Sequence, residues 1–134
     1  MQIEGILESC LYVDDLDAAE AFYRRVLALE LHSREEGRHV FLHCGQGMLL
    51  LFDPDSTSVS NGIVPTHGAH GPGHVAFSVK KAQISVWKDQ LRKEGVAIET
   101  EVPWPHGGHS IYFRDPAGNS VELATSQVWG LSPD

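Results

Sequence analysis

Arg114-Asp115-Pro116-Ala117-Gly118-Asn119-Ser120-Val121-Glu122-Leu123 is the stretch on which the fold turns. Pro116 presets φ for a tight turn, and Gly118-Asn119 can take the positive φ that other residues resist, so the segment reads as a hairpin joining two short strands. On the second strand side chains alternate between faces. Val121 and Leu123 therefore share the core face, and Ser120, Glu122 and Ala124 share the other. Whether Glu122 meets bulk water or an enclosed cavity decides what the chain can do.

Upstream of the hairpin, the same order of elements occurs twice. Ile6 to Val13 alternates as a strand, with Leu7, Leu11 and Val13 on one face and Ile6, Glu8, Cys10 and Tyr12 on the other. Asp14 or Asp15 can cap the helix that follows, whose apolar positions Leu16, Ala19, Phe22, Tyr23, Val26 and Leu27 recur at three and four and end near Leu29. Strands are expected at Leu31 to Arg34, His39 to Cys44 and Met48 to Phe52. Residues 53–73, rich in Ser, Pro, Gly and His, read as a mobile linker. The second round begins with a strand from His74 to Val79 and a helix from Ala82 to Glu94 that turns Ile84, Trp87 and Leu91 inward and stops at Gly95. Strands at Val96 to Glu101, Ser110 to Arg114 and Ser120 to Thr125 complete it.

Glu8 and His74 hold the same place in their rounds, each five residues before a valine that closes its strand. A unit of about 50 residues made twice implies two copies packed side by side, each helix covering one face of a small curled sheet. The opposite, concave face carries Glu8, His74 and Glu122, and Ser110, Tyr112 and Arg114 have the parity to line it.

Composition narrows the function classes. The chain has 134 residues, one domain's worth, with 18 acidic against 10 basic residues and a net charge of −8. With no Lys/Arg run it does not suit nucleic acid or an anionic membrane, which require basic patches. No stretch of about 18 apolar residues and no secretory leader is evident, so a cytoplasmic protein is expected. Cys10 and Cys44 are too few for a disulfide framework, and both are expected to be buried thiols.

Three motifs in order carry a family resemblance: the first strand running into Asp15-Leu16-Asp17-Ala18-Ala19-Glu20-Ala21-Phe22-Tyr23, the strand Gly73-His74-Val75-Ala76-Phe77, and the hairpin Asp115 to Leu123. Together they resemble the vicinal oxygen chelate superfamily, the glyoxalase, bleomycin-resistance and extradiol-dioxygenase group. The resemblance implies an α+β fold of two βαβββ modules in tandem, their curled mixed sheets forming a concave metal site. The chain is then a single domain, 1–134, with module one at 1–54, a linker at 55–72, module two at 73–126 and a C-terminal tail at 127–134. It also implies a divalent metal with Glu8, His74 and Glu122 as ligands, and a small-molecule substrate chelated through two adjacent oxygens. Many members have a fourth ligand, a carboxylate on the last strand of module one. Here that strand is Met48-Leu49-Leu50-Leu51-Phe52, which supplies no oxygen.

Two carboxylates and one imidazole form an oxygen-rich set that suits Mn²⁺, Fe²⁺, Mg²⁺, Co²⁺ or Ni²⁺ better than a structural Zn²⁺, and a catalytic zinc stays open. Such an ion polarises a chelated carbonyl and stabilises developing enolate charge. Glu122 or Glu8 can then move a carbon-bound proton as general base, and Tyr112 lies near enough to Glu122 to take part. The function expected is a metal-dependent, glyoxalase-like lyase or isomerase. The missing fourth carboxylate, and Tyr12 where the glutathione-dependent glyoxalases tend to place arginine, argue against glutathione. Glu8 in place of a histidine argues against extradiol chemistry. The alternatives are a drug-sequestering protein of bleomycin-resistance type and a thiol transferase of fosfomycin-resistance type. Small members of the superfamily usually dimerise, so a homodimer is expected in which Glu8 of one chain joins His74 and Glu122 of the other.

The remaining histidines and Cys10 are given lesser parts. His67 and His70 are expected to be exposed on the linker, and His43 to lie on a sheet face without a role. Trp104 to His109 reads first as a flexible loop between strands, whose two glycines would also suit a lid with His106 or His109 as acid or substrate contact. Cys10 reads as packing, since no base adjoins it.

Overall fold

The computed structural model describes residues 1–131, so the end of the tail at 127–134 lies outside the described residues. The chain divides into two compact units, Met1–Gly73 and a second that begins at His74.

In the first unit β1 (Glu8–Tyr12) leads to α1 (Leu16–Val26), followed by β2 (Glu30–Glu35), β3 (His39–Cys44) and β4 (Gly47–Phe52). The four strands form one mixed sheet in the order β1-β4-β3-β2, with β1 parallel to β4. Asp15 caps α1 by accepting the Ala18 amide at 3.0 Å, which satisfies one of the orphan donors at a helix start. Leu16, Ala19, Phe22, Tyr23 and Val26 are buried along one stripe as the spacing requires, and α1 packs on β3 and β4. The helix ends earlier than its apolar period, because Ala28 adopts φ +57 and the Leu27 and Leu29 amides both turn back to the Tyr23 carbonyl.

The second unit repeats the plan. β5 (His74–Ser78), α3 (Ile84–Lys93), β6 (Thr100–Pro103), β7 (His109–Arg114) and β8 (Ser120–Ala124) give a sheet ordered β5-β8-β7-β6, with β5 parallel to β8. The architecture is α+β, two βαβββ modules in tandem. Leu91 of α3 is fully buried, as are Ile111, Phe113 and Val121, while Ile84 and Trp87 are half-buried.

Four local expectations are corrected. Leu7 is exposed rather than in the core: β1 starts one residue later, and the Leu7 carbonyl merely accepts the Met48 amide at 3.1 Å. Residues 53–73 are not all linker, because α2 (Pro54–Thr57) forms there, capped by Asp53 with Pro54 in its first turn. β6 begins at Thr100 and not Val96, since the Val96 amide is spent closing α3 onto the Leu91 carbonyl at 2.8 Å. Cys10 is exposed and Cys44 half-buried, so neither is the buried thiol expected. No helix among the described residues is long and apolar enough to cross a membrane.

Candidate metal centre and substrate cavity

The Asp115 hairpin fixes the site's register. The Asp115 carboxylate accepts the Ala117 and Asn119 amides at 3.0 and 2.9 Å and the Asn119 side-chain amide at 3.0 Å. Gly118 takes the positive φ of the turn, at +89, and Asn119 does not need to. The turn sets β7 against β8 so that Tyr112 faces Glu122 across the ladder, while on the other side Ala76 of β5 pairs with Glu122 and His74 with Ser120. Val121 and Leu123 fill the core and Glu122 leaves by the opposite face, as parity demands. It does not reach bulk water: Glu122 is only 7% exposed.

Hydrogen bonds orient each side chain of this cluster. His74 Nδ1 lies 3.0 Å from the Ser120 carbonyl oxygen; a carbonyl only accepts, so Nδ1–H donates to it and Nε2 is the ring nitrogen left to bind an ion. Nε2 faces Glu122 Oε1 at 3.3 Å. The other carboxylate oxygen, Oε2, accepts the Ser110 hydroxyl at 2.5 Å, and Ser110 in turn accepts Trp104 Nε1–H at 2.8 Å. Ser110 is fully buried, so its one proton is committed to Glu122.

This arrangement fits a divalent ion. A lone-pair nitrogen and a carboxylate oxygen directed at each other repel unless a proton or a cation sits with them. Two ligands at right angles, each about 2.1 Å from an ion, stand about 3 Å apart, close to the separation found. The bonds from His74 Nδ1–H to the Ser120 carbonyl and from the Ser110 hydroxyl to Glu122 are the kind that orient a metal-binding imidazole and carboxylate. Among the described residues no three His, Cys, Asp or Glu side chains come together in such a group. Glu8, at the start of β1 in the first unit, is exposed.

His74 and Glu122 open on a cavity of about 580 Å³ lined also by Ala76, Trp104, Pro105, His106, Tyr112, Val128 and Trp129. The Tyr112 ring stacks beside the His74 imidazole at 6.4 Å. Burial, with the Glu122 charge adding to it, pushes the Tyr112 phenol above its ordinary value. Tyr112 therefore stays a proton donor through neutral and mildly alkaline pH.

The family model of the Glyoxalase/Bleomycin resistance protein/Dioxygenase superfamily matches residues 5–123. The chain belongs to this superfamily. Among its solved members, a structure described as the lactoylglutathione lyase of Agrobacterium tumefaciens is 46% identical, superposes with a TM-score of 0.93, and aligns over 98% of this chain and 100% of that one. Among relatives known by sequence, the metallothiol transferase FosB of Staphylococcus epidermidis is 28% identical over 96% of this chain and 86% of its own length. The glutathione transferase FosA of Serratia marcescens is 28% identical over 90% and 80%. These superfamily relatives are enzymes by name.

Other residues singled out from the sequence fall elsewhere. Arg114 does not line the cavity: it ion-pairs with Glu99 at 3.1 Å and donates to the Gly118 carbonyl at 3.0 Å. His109 belongs to β7, not to a loop, and meets Glu101 at 2.8 Å, a carboxylate shared with Lys88. Of the two candidate contacts only His106 lines the cavity, in left-handed backbone at φ +68. The expected lid is a pinned wall. The Trp104 amide donates to the Gly108 carbonyl at 2.8 Å, and a Cβ on Gly108 would stand 2.8 Å from the Val128 backbone. His67 is not exposed but half-buried, its Nδ1 2.6 Å from the Tyr12 hydroxyl, whereas exposed His70 pairs with Asp55 at 3.0 Å. His43 is exposed, its ring against that of His32. The Ser110 bond to the carboxylate, and the Trp104 bond to Ser110 behind it, escaped the sequence reading. Parity pointed to Ser110, but nothing in composition says that an indole six residues away will bind it.

Proposed function

We propose that this protein is a metal-dependent lyase or isomerase whose small substrate is held through two adjacent oxygens. Glu8, His74 and Glu122 are its metal ligands, with Glu8 supplied by a second copy of the chain. The observation that carries this reading is the facing pair His74 Nε2 and Glu122 Oε1, 3.3 Å apart, with the imidazole anchored through Nδ1–H to the Ser120 carbonyl. The bound ion supplies Lewis acidity to the chelated oxygens. Ser110, backed by Trp104, holds Oε2 of Glu122, which leaves Oε1 as the oxygen that would hold the ion or, released from it, take a carbon-bound proton. The Tyr112 phenol donates to the substrate oxygen that gains charge.

Family membership and the lyase name of the 46% identical relative support this reading. A second copy is supported by bare apolar side chains at both ends of the described chain, Ile3, Ile6 and Leu7 at one and Leu131 at the other. Thiol transfer is the second reading, favoured by the names of the FosB and FosA relatives. Incubation of Mn²⁺-loaded protein with hydroxyacetone in D₂O separates these possibilities. Lyase or isomerase chemistry exchanges the carbon-bound proton, and Glu122→Ala and Tyr112→Phe abolish or slow that exchange. Metal uptake without exchange, but with addition of a supplied thiol to a supplied epoxide, the C–S bond forming as the ring C–O bond opens to an alcohol, supports transfer. Binding with neither metal nor turnover leaves a sequestering protein.

A further inference from the structure

The cavity beside His74 and Glu122 is walled by Trp104, Pro105, Tyr112, Val128 and Trp129. Among the described residues that line it none is Lys or Arg. Lys81 carries its Nζ beside Gly107, on the turn that forms one wall, but is not among the lining residues. Among the lining residues Glu122 is the one carboxylate, beside the imidazoles of His74 and His106, in a chain of net charge −8.

A substrate bearing a phosphonate, phosphate or second carboxylate would have to lose its hydration against indole and pyrrolidine surfaces, with no Lys or Arg among the described lining residues of this chain to receive it, which is costly. Under the ligand set proposed above, on which this inference rests, two carboxylates already neutralise a divalent ion. The centre then gives an anionic substrate no net attraction beyond its two chelating oxygens. Flat walls, by contrast, favour a flat body: indole and phenol rings gain most from offset or edge contacts with another ring. The volume of about 580 Å³ lies within the range of ordinary small-molecule sites.

Trp104 is well placed to act as a fixed wall. Its Nε1–H is tied to Ser110 at 2.8 Å and its backbone amide to Gly108, so the indole need not be ordered when substrate enters. Trp129 is 81% exposed on the opposite end of the lining segment, after Val128, and has surface to bury on binding.

We infer that the substrate's non-chelating part is an uncharged, planar, aromatic body rather than an anionic group or a short aliphatic chain, and that Trp129 is the residue that selects it. The test uses three probes that share adjacent oxygens: 2-hydroxyacetophenone, hydroxyacetone and dihydroxyacetone phosphate. Mn²⁺ uptake is measured first by dialysis. Binding of each probe to the loaded protein then follows by calorimetry and tryptophan fluorescence. 2-Hydroxyacetophenone should bind at least about tenfold tighter than hydroxyacetone, dihydroxyacetone phosphate no tighter than hydroxyacetone, and Trp129→Ala should remove most of the aromatic advantage. Tightest binding of the phosphate, equal binding of the two neutral probes, or an advantage that survives Trp129→Ala overturns the inference and leaves the metal reading standing. Failure to take up Mn²⁺ overturns both.

Discussion

The two sheets share strand order and register, yet one presents a polar site and the other an aromatic floor. Where β8 places Glu122 between Ala76 and Tyr112, β4 places Leu50 between Cys10 and Phe41. Where β7 places Ser110 against Ala124, β3 places His39 against Phe52. His39 lies flat on Phe41 at 3.9 Å, and Phe52 meets the His67 ring edge-on at 4.7 Å. The helix-facing residues Leu49 and Leu51, like Val121 and Leu123, are buried in both and set the topology. The comparison teaches that the alternation fixing the fold leaves the opposite face free, so one plan carries a carboxylate in one copy and apolar bulk in the other.

The largest contrast should come from the two equivalent positions themselves. Glu122→Ala should weaken Mn²⁺ binding beyond the roughly 10–100-fold typical of outer-sphere changes, at a cost in stability no larger than about 1–3 kcal/mol, that of the stranded Ser110 donor. Leu50→Ala should do the reverse, costing about 2–5 kcal/mol by denaturant unfolding while metal uptake persists. Equal effects on both readouts would break the comparison. Next in size, Ser110→Ala should cost roughly 10–100-fold in metal affinity by titration, because Glu122 Oε2 loses its donor, and Trp104→Phe a smaller loss through the same hydroxyl.

The hairpins differ as well. Asp115→Ala strands three buried donors and should destabilise by about 1–3 kcal/mol, whereas Gln46→Ala in the exposed β3–β4 turn should stay within about 0.5 kcal/mol. The smallest effect concerns pH. Burial lowers the His39 imidazole below the ordinary histidine value, and its Nδ1 has no partner. Its neutral form is the one the fold accepts, so that contribution is present above the unfolded value near 6.5 and is lost as pH falls through the folded one. The melting temperature of His39→Phe should therefore fall less between pH 7 and pH 5 than that of the parent chain.

The fold was legible because its signals are local and repeat. The Leu16 to Val26 stripe, Gly95 and the Asp115 to Leu123 turn each define an element without knowledge of the rest. Misreadings fell where a neighbour intervened: Val96 was drawn into the end of α3, Leu7 lay outside the pairing of β1, and Asp53 nucleated a helical turn inside a polar segment. At the site, parity and motif order singled out His74, Glu122, Ser110 and Tyr112, which the cluster brings together. The Trp104 bond, the pinning of Gly108 and the diversion of Arg114 to Glu99 depend on contacts between strands. No periodicity encodes them.

The most direct test of the shared centre is complementation between two inactive chains. Glu8→Ala and Glu122→Ala proteins, each stripped of metal, are mixed after dissociation, reassociated, loaded with Mn²⁺ and assayed for bound ion. Each variant alone should hold none, and the mixture should recover about a quarter of the parent content, since half the dimers are mixed and each mixed dimer restores one of two sites. Recovery of no ion from the mixture, or full retention by Glu122→Ala alone, would contradict the account.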